Sequence, residues 1–542
     1  MSGSEFTFIE ALLLGVMYWF IWCEFKFYPI PMPGEIGYLG FYLGLGYGDI
    51  ATGCIIGGSI GLINISNFAY GASIPADTGM AGCIAIPMAI KFGLTTGEAL
   101  ALAVPFGILG ALINNVRRAF AGVYWRQAQK DISERKYGRL KFYGIWEPML
   151  MNIIWRLLPV TLLLYLFGTA GGNAVANMPA WLSHSFSMMG QMLPGVGLVL
   201  CISIMGNRSF LPYCVIGFFL LGRFGFKMVE VAIMGIVLGF LHTLYTADDE
   251  DEEEEEEEEH TDVKGIFSTG DLIWFNWYWY CFYRVSQCME YFYGVGNASM
   301  MYKNMRKIYK DDEEGLQKGM ERCLEPWISH PLWGEWMLGA QFAMEEDIAA
   351  NGDPTGDKGR AISAMKTGFM GPFAGIGDTI SGSVLLPIIR SFSYSAFLTG
   401  SWTGIIPLWL LDTFNWIIGC FSVNIGYKAG INTILRIIDT PLFSRILTIA
   451  IVTGMVTMGA LSASYVVVKT TLEFNSTVTD AEGNTGEVVM KLQDKFDQIM
   501  PNLLTLLYMA LLITLQFKNT KTTTMMLITV VIAFIGAILH VW

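Results

Sequence analysis

Apolar runs separated by short polar or glycine-rich breaks occupy most of this chain, and that rhythm predicts membrane helices. In the first half the runs fall at Phe8 to Cys23, Leu39 to Leu62, Ala99 to Leu112, Ile153 to Phe167, Met188 to Ile204, Phe210 to Leu221 and Val229 to Leu244. In the second they fall near Ala396 to Phe421, Ile446 to Val468, Leu503 to Gln516 and Met525 to Leu539. Several are shorter than the roughly 20 residues a straight crossing needs, so half-spanning or paired re-entrant segments are expected among them. The pattern predicts an all-α polytopic membrane protein of two bundles with broken and re-entrant helices.

One stretch departs most from a continuous helix. Lys366 to Pro387, KTGFMGPFAGIGDTISGSVLLP, sets Gly368, Gly371, Gly375, Gly377, Gly382, Pro372 and Pro387 in an otherwise apolar run. Each helical Gly costs roughly 1 kcal/mol against Ala and each Pro about 3, so the spacing predicts a broken helix. In a bilayer the backbone groups that a break frees must be answered inside protein, which puts such breaks at cavities. Asp378 sits within it, and a mid-membrane carboxylate needs a partner or a substrate; the competing reading is a solvated turn at the membrane surface. A second interrupted region, NISNFAYGASIPADTGMAG, carries a solitary acid at Asp77. Two such breaks in corresponding parts of two halves point to a transporter's binding site.

The polar segments divide the chain. Arg117 to Lys141 holds eight basic residues with apolar ones at helical spacing, which the positive-inside rule assigns to the cytoplasmic side. Asp248 to Glu259 is an unbroken acidic run ahead of His260; it repels itself and builds no core, so it reads as a linker. Its expected bounds are 248–261, between membrane domains at 1–247 and 262–542. The aromatic cluster Ile273 to Tyr293 suits a bilayer interface or a packed core. Tyr302 to Glu325 predicts cytoplasmic-surface helices, and Glu473 to Gln498 a small extramembrane loop with a β-hairpin.

Composition agrees with the pattern: 53% hydrophobic and 15% charged over 542 residues, with a mean hydropathy of +0.46, is too apolar for a soluble protein of this size. The net charge of -13 is local, because the linker supplies 12 carboxylates and leaves 35 acidic against 34 basic residues elsewhere. No concentrated basic face suggests nucleic acid. Nine cysteines without metal-like spacing read as packing residues. No metal or cofactor site is expected.

The second half, through WISHPLWGEWMLGAQFAMEED, MKTGFMGPFAGIGDTISGSVLLPI, NIGYKAG and IDTPLFSRIL, resembles the IID component of the mannose/sorbose class of bacterial sugar phosphotransferase systems. The first half, through GDIATGCIIGGSIGLI, IPADTGMAG and ALALAVPFGILG, resembles the IIC component of that class. The resemblance implies two usually separate subunits fused through the acidic linker. It implies a multi-pass permease of the bacterial plasma membrane, of a class typically assembled as a trimer. Such a permease carries a hexose or amino sugar that is phosphorylated by a cytoplasmic IIB subunit, itself charged by IIA. No phospho-acceptor domain is evident around the five histidines, so no catalytic residue is assigned. Mannose-type members carry a Glu just after the GGSI-like phrase where this chain has Gly61.

Sugar hydroxyls both donate and accept, so buried carboxylates and amides are the groups suited to them. Asp77 and Asp378, one per half, are the first candidates for sugar binding. Ser59, Asn64, Asn67, His330, Glu345 and Glu346 follow; Ser59 also suits helix packing, Glu345 and Glu346 a helix end, and His330 a loop. Against phosphorylation-coupled uptake stand an uncoupled facilitator or ion-coupled transporter, for which broken helices with intramembrane acids serve equally well, and a non-transporting receptor.

Overall fold

The computed structural model describes residues 5–23, 30–32, 34–65, 76–171, 179–205, 208–246, 265–288, 291–377, 381–382, 385–438, 441–479, 485–520, 522–539 and 541. The acidic linker, Asn67 and Asp378 lie outside them. Helices dominate the rest. Those long and apolar enough to cross a bilayer run over Thr96–Asn114, Tyr137–Gly171 and Trp402–Lys428, and Leu492–Ile499 with Leu503–Phe517 forms a pair bent by 75°.

After α1 (Phe8–Trp22), the glycine-rich block folds as a hairpin of α2 (Ile36–Tyr47) and α3 (Ile50–Ile63). Gly48, at φ 79°, makes the turn, and Asp49 caps α3 by accepting from the Thr52 amide at 3.0 Å. The two helices touch backbone to backbone: a Cβ on Gly40 would stand 2.5 Å from the Gly53 carbonyl oxygen. At 1.5 Å per residue they reach about 18 and 21 Å, short of the ~30 Å hydrocarbon core. Neither helix alone is long enough to span a bilayer.

Next come α4 (Thr78–Phe92), α5 (Thr96–Phe120) and the amphipathic α6 (Gly122–Ser133). The long span α7 (Tyr137–Gly171) contains three π-turns, at Phe142–Trp146, Ile153–Leu157 and Leu164–Gly168. The run expected at Met188 to Ile204 is split at Pro194 into α8 (Ala180–Met192) and α9 (Pro194–Met205), followed by α10 (Leu211–Gly222) and α11 (Met228–Thr246).

The second half opens with α12 (Thr269–Phe282), α13 (Gly294–Ile308), α14 (Glu313–Leu324) and α15 (Pro331–Asn351). Contrary to the expected break, α16 (Asp357–Gly377) runs unbroken through Gly368, Gly371, Pro372 and Gly375, and residues 378–380 lie outside the described ones. Packing overrides propensity along this helix. Phe373 is fully buried, Lys366 is anchored to Glu325, and Gly377 lets the helix end lie against His330 and Trp333. The chain continues with α17 (Leu386–Leu398), α18 (Ile405–Ile438) and α19 (Pro441–Tyr465). The expected hairpin is present as β1 (Glu473–Thr479) and β2 (Thr485–Lys491), antiparallel with Glu473 opposite Lys491 and Thr479 opposite Thr485. Then α20 (Leu492–Ile499), α21 (Leu503–Phe517) and α22 (Thr522–Ile538) close the chain.

The two bundles are interlocked. α19 of the second half packs along both α10 and α11 of the first, α17 lies on α3, and α8 packs against α22. Lipid tails are as apolar as leucine, so close van der Waals packing of small residues drives such association. Gly217 abuts the Val456 carbonyl, Gly459 the Cys214 carbonyl, Gly235 the Thr453 backbone and Gly239 the Ile449 backbone. Backbone cannot yield as a side chain would. Gly459→Ala is therefore expected to lower the thermal midpoint of the purified chain in detergent by several degrees. Gly368→Ala, whose Cβ meets open space on a helix, is expected to raise it, since removing a helical Gly gains about 0.4 to 1 kcal/mol.

Candidate functional site

Two polar constellations lie within the apolar interior of the first half and on its seam with the second. The first is centred on Asp77, which ends the interrupted region and caps α4. Its Oδ1 accepts from the Met80 amide at 2.9 Å, and its own amide donates to the Gly107 carbonyl at 2.9 Å. Gly110 allows α5 to approach, because a Cβ there would stand 2.6 Å from the Asp77 Cβ. The other oxygen, Oδ2, accepts from the Tyr18 hydroxyl at 2.7 Å and from Arg156 Nη1 at 3.0 Å. Nη1 also donates to the Tyr18 oxygen at 2.7 Å, while Nη2 donates to Asn114 Oδ1 at 2.5 Å. Arg156 and Asp77 are both 0% exposed. Four helices thus meet at one ion pair.

Arg156 lies in the second π-turn of α7. Such single-turn widenings re-aim side chains and concentrate at functional sites. Beside the pair, Asn64 and Asp77 line a cavity of about 20 Å³ with Ile60, Gly107 and Met526. That space holds a single water, so in this conformation it is closed to a sugar.

The second constellation joins the halves. From α17, Arg390 Nη2 donates to Glu35 Oε2 at 2.7 Å and Nη1 to the Ile65 carbonyl at 3.2 Å, while the Tyr394 hydroxyl donates to Glu35 Oε1 at 2.5 Å. Ile65 follows the end of α3, and Arg390 lies in the first turns of α17. One guanidinium therefore ties the end of α3 and Glu35 to α17. Gly61 belongs to this contact: a Cβ there would stand 2.5 Å from the Tyr394 ring, and one on Gly58 would stand 2.9 Å from Phe397 Cβ. A larger residue at position 61 would displace α17.

The remaining candidates are dispersed. Ser59 is buried and donates to the Ile55 carbonyl at 2.7 Å, and Asn64 donates to the Ile60 carbonyl at 2.9 Å. Glu345 is fully buried in a bidentate pair with Arg322, at 2.8 and 2.5 Å, and accepts from the Tyr309 hydroxyl at 2.6 Å. Glu346 accepts from the Tyr427 hydroxyl at 2.5 Å and the Ile266 amide at 3.2 Å. His330 precedes Pro331 at the start of α15, packed on Gly377 where the second interruption begins. Sequence reasoning missed Arg156, Tyr18, Asn114, Glu35 and Arg390. Arg156 had a readable signal, since a lone Arg in the apolar run IIWRLL is as costly in lipid as the lone Asp77.

Comparison with known proteins identifies the two halves. The family model described as "PTS system mannose/fructose/sorbose family IID component" matches residues 267–542. The chain belongs to that family. The model described as "PTS system sorbose-specific iic component" matches residues 8–241, so the chain is a fused IIC–IID component of a sugar-translocating phosphotransferase-system permease. It is 29% identical over 250 residues to the mannose-specific EIID component of Escherichia coli K12, covering 46% of this chain and 82% of that one. It is 30% identical over 218 residues to the fructose permease IID component of Bacillus subtilis 168, covering 39% and 74%. Its first half is 28% identical over 223 residues to N-acetylgalactosamine permease IIC component 1 of E. coli K12, covering 40% and 79%. Components of this kind work with cytoplasmic IIA and IIB partners.

In this IIC–IID chain the ion pair predicts a non-additive response. Removing one partner of a buried pair costs about 3 to 5 kcal/mol because the other is left uncompensated, whereas removing both costs much less. Asp77→Asn and Arg156→Gln are each expected to lower the detergent thermal midpoint sharply. The double variant is expected to be more stable than either single one, and equal or greater loss in the double variant would argue against the pair.

Proposed function

We propose that this IIC–IID chain carries a hexose or amino sugar across the bacterial plasma membrane along the seam between its halves, and presents it to a phosphorylated IIB subunit charged by IIA. The observation that carries the reading is Arg390, which ties Ile65 and Glu35 of the first half to α17 of the second, beside the glycine-rich stretch of that half. Broken segments at the interface of two halves are where transporters bind their substrates. The family's named members for mannose, fructose and N-acetylgalactosamine support the substrate class.

Asn64 and Asp77, with Asn67 and Asp378, are the groups proposed to meet sugar hydroxyls. Glu345 and Glu346, already engaged by Arg322, Tyr309 and Tyr427, are proposed to brace the second half, and Ser59 and His330 to line its approaches. The small cavity at Asp77 makes this conformation an occluded one, and passage requires the halves to separate there. Residues 1–247 and 262–542 are proposed as the two membrane domains, 248–261 as their linker, and a trimer as the assembly. Once donor and sugar are aligned, phosphoryl transfer needs positioning and electrostatics, and IIB supplies the phosphate.

The test is uptake by membrane vesicles containing this chain, supplied in turn with mannose, fructose, sorbose and N-acetylgalactosamine. Sugar phosphate is expected to accumulate only when IIA, IIB and their phosphate source are present. Accumulation of free sugar in their absence would overturn the coupling.

A further inference from the structure

We propose that the two halves together build an anion site on the cytoplasm-facing surface, which takes the phosphate of a phospholipid headgroup or of a soluble phosphate ester. An open pocket of about 400 Å³ lies between the α6–α7 turn of the first half and the α13 and α14 helices of the second. Arg135, Lys136 and Arg139 line it from one side, with Arg306 and Glu313 from the other. Four cations and one carboxylate line this pocket, and a second carboxylate, Glu134, pairs with Lys136 beside it. Its volume falls within the range of small-molecule sites.

The cations are held in place by a few bonds that leave most of their capacity unused. Arg306 pairs with Glu313 at 2.5 Å, Lys136 with Glu134 at 2.5 Å, and Arg135 Nε donates across the halves to Gln317 Oε1 at 3.0 Å. A guanidinium carries five N–H donors in a fork that matches phosphate oxygens. Arg135 and Arg306 therefore retain donors beyond these contacts.

A second observation, independent of charge, points to a ligand. Tyr137 lines the same pocket and is 6% exposed, and its buried hydroxyl has no hydrogen-bond partner. Its ring is fixed by stacking on Tyr302, with centroids 5.5 Å apart. A buried hydroxyl left unanswered is unfavourable. A phosphate oxygen among the four cations would accept from it. Tyr137 also begins the long span α7, so the pocket lies at one end of a helix long enough to cross a bilayer, within reach of lipid headgroups, while its open face admits soluble anions.

The experiment uses the full chain purified in neutral detergent, with two probes: phosphatidylglycerol followed by native mass spectrometry, and inorganic phosphate followed by calorimetry. Saturable binding of one equivalent is expected in at least one arm, and the responding arm assigns the source. Arg139→Gln combined with Arg306→Gln is expected to weaken it at least about tenfold, as the loss of charge-assisted bonds implies. Tyr137→Phe, which keeps every charge, is expected to weaken it about threefold, and Lys130→Gln, on the same surface but outside the pocket, to leave it unchanged. Absence of saturable binding in both arms, or binding that survives the double arginine variant, would overturn the site. Should that variant fail to fold, unchanged affinity in Tyr137→Phe would overturn it equally.

Discussion

A charge in a medium without water has to be answered by protein, and the Asp77–Arg156 pair is where this constraint is tightest. Both partners are fully enclosed, and each is held by further hydrogen bonds, from Tyr18, Asn114 and the Met80 amide. The pair fixes α1, α4, α5 and α7 at one point. Buried ion pairs seldom add net stability, because desolvation offsets their attraction. What this one supplies is register, since α7 can satisfy Arg156 in one rotation only, and a π-turn is built into the helix where it does so.

Around that fixed centre the helices approach as closely as glycine permits. The α2–α3 hairpin rests on Gly40, Gly44, Gly53 and Gly57, and the contact of α19 with α10 and α11 rests on Gly217, Gly235, Gly239 and Gly459. Glycines that look like helix breakers in the sequence therefore act chiefly as contact surfaces. Gly61 shows the functional consequence. Its missing side chain admits Tyr394 from the other half.

Element type was readable over long apolar runs, and so was the β-hairpin near the end, because its polar, β-favouring flanks contrast with the helices around them. Element boundaries were less so. Gly368 to Gly377 looked like an interruption, since local cost argues for a break, and only tertiary packing of Phe373, Lys366 and Gly377 explains the intact helix. Asp77 stood out as a lone acid, and Arg156 was readable as a lone base in an apolar run, yet about eighty positions separate them and no spacing pairs the two. Glu35 and Arg390 were invisible because their pairing joins the two halves of a long chain, and no spacing encodes it.

Glu35 and Arg390 form the contact through which the two halves are proposed to cooperate in transport. The most direct measurement is the rate of sugar-phosphate formation by vesicles carrying Glu35→Gln, Arg390→Gln or both, with IIA and IIB in excess. If one contact serves transport, each single variant falls about tenfold or more and the double falls no further than the worse single, as coupled residues require. Wild-type rates in the single variants, or losses that multiply in the double, would contradict the account.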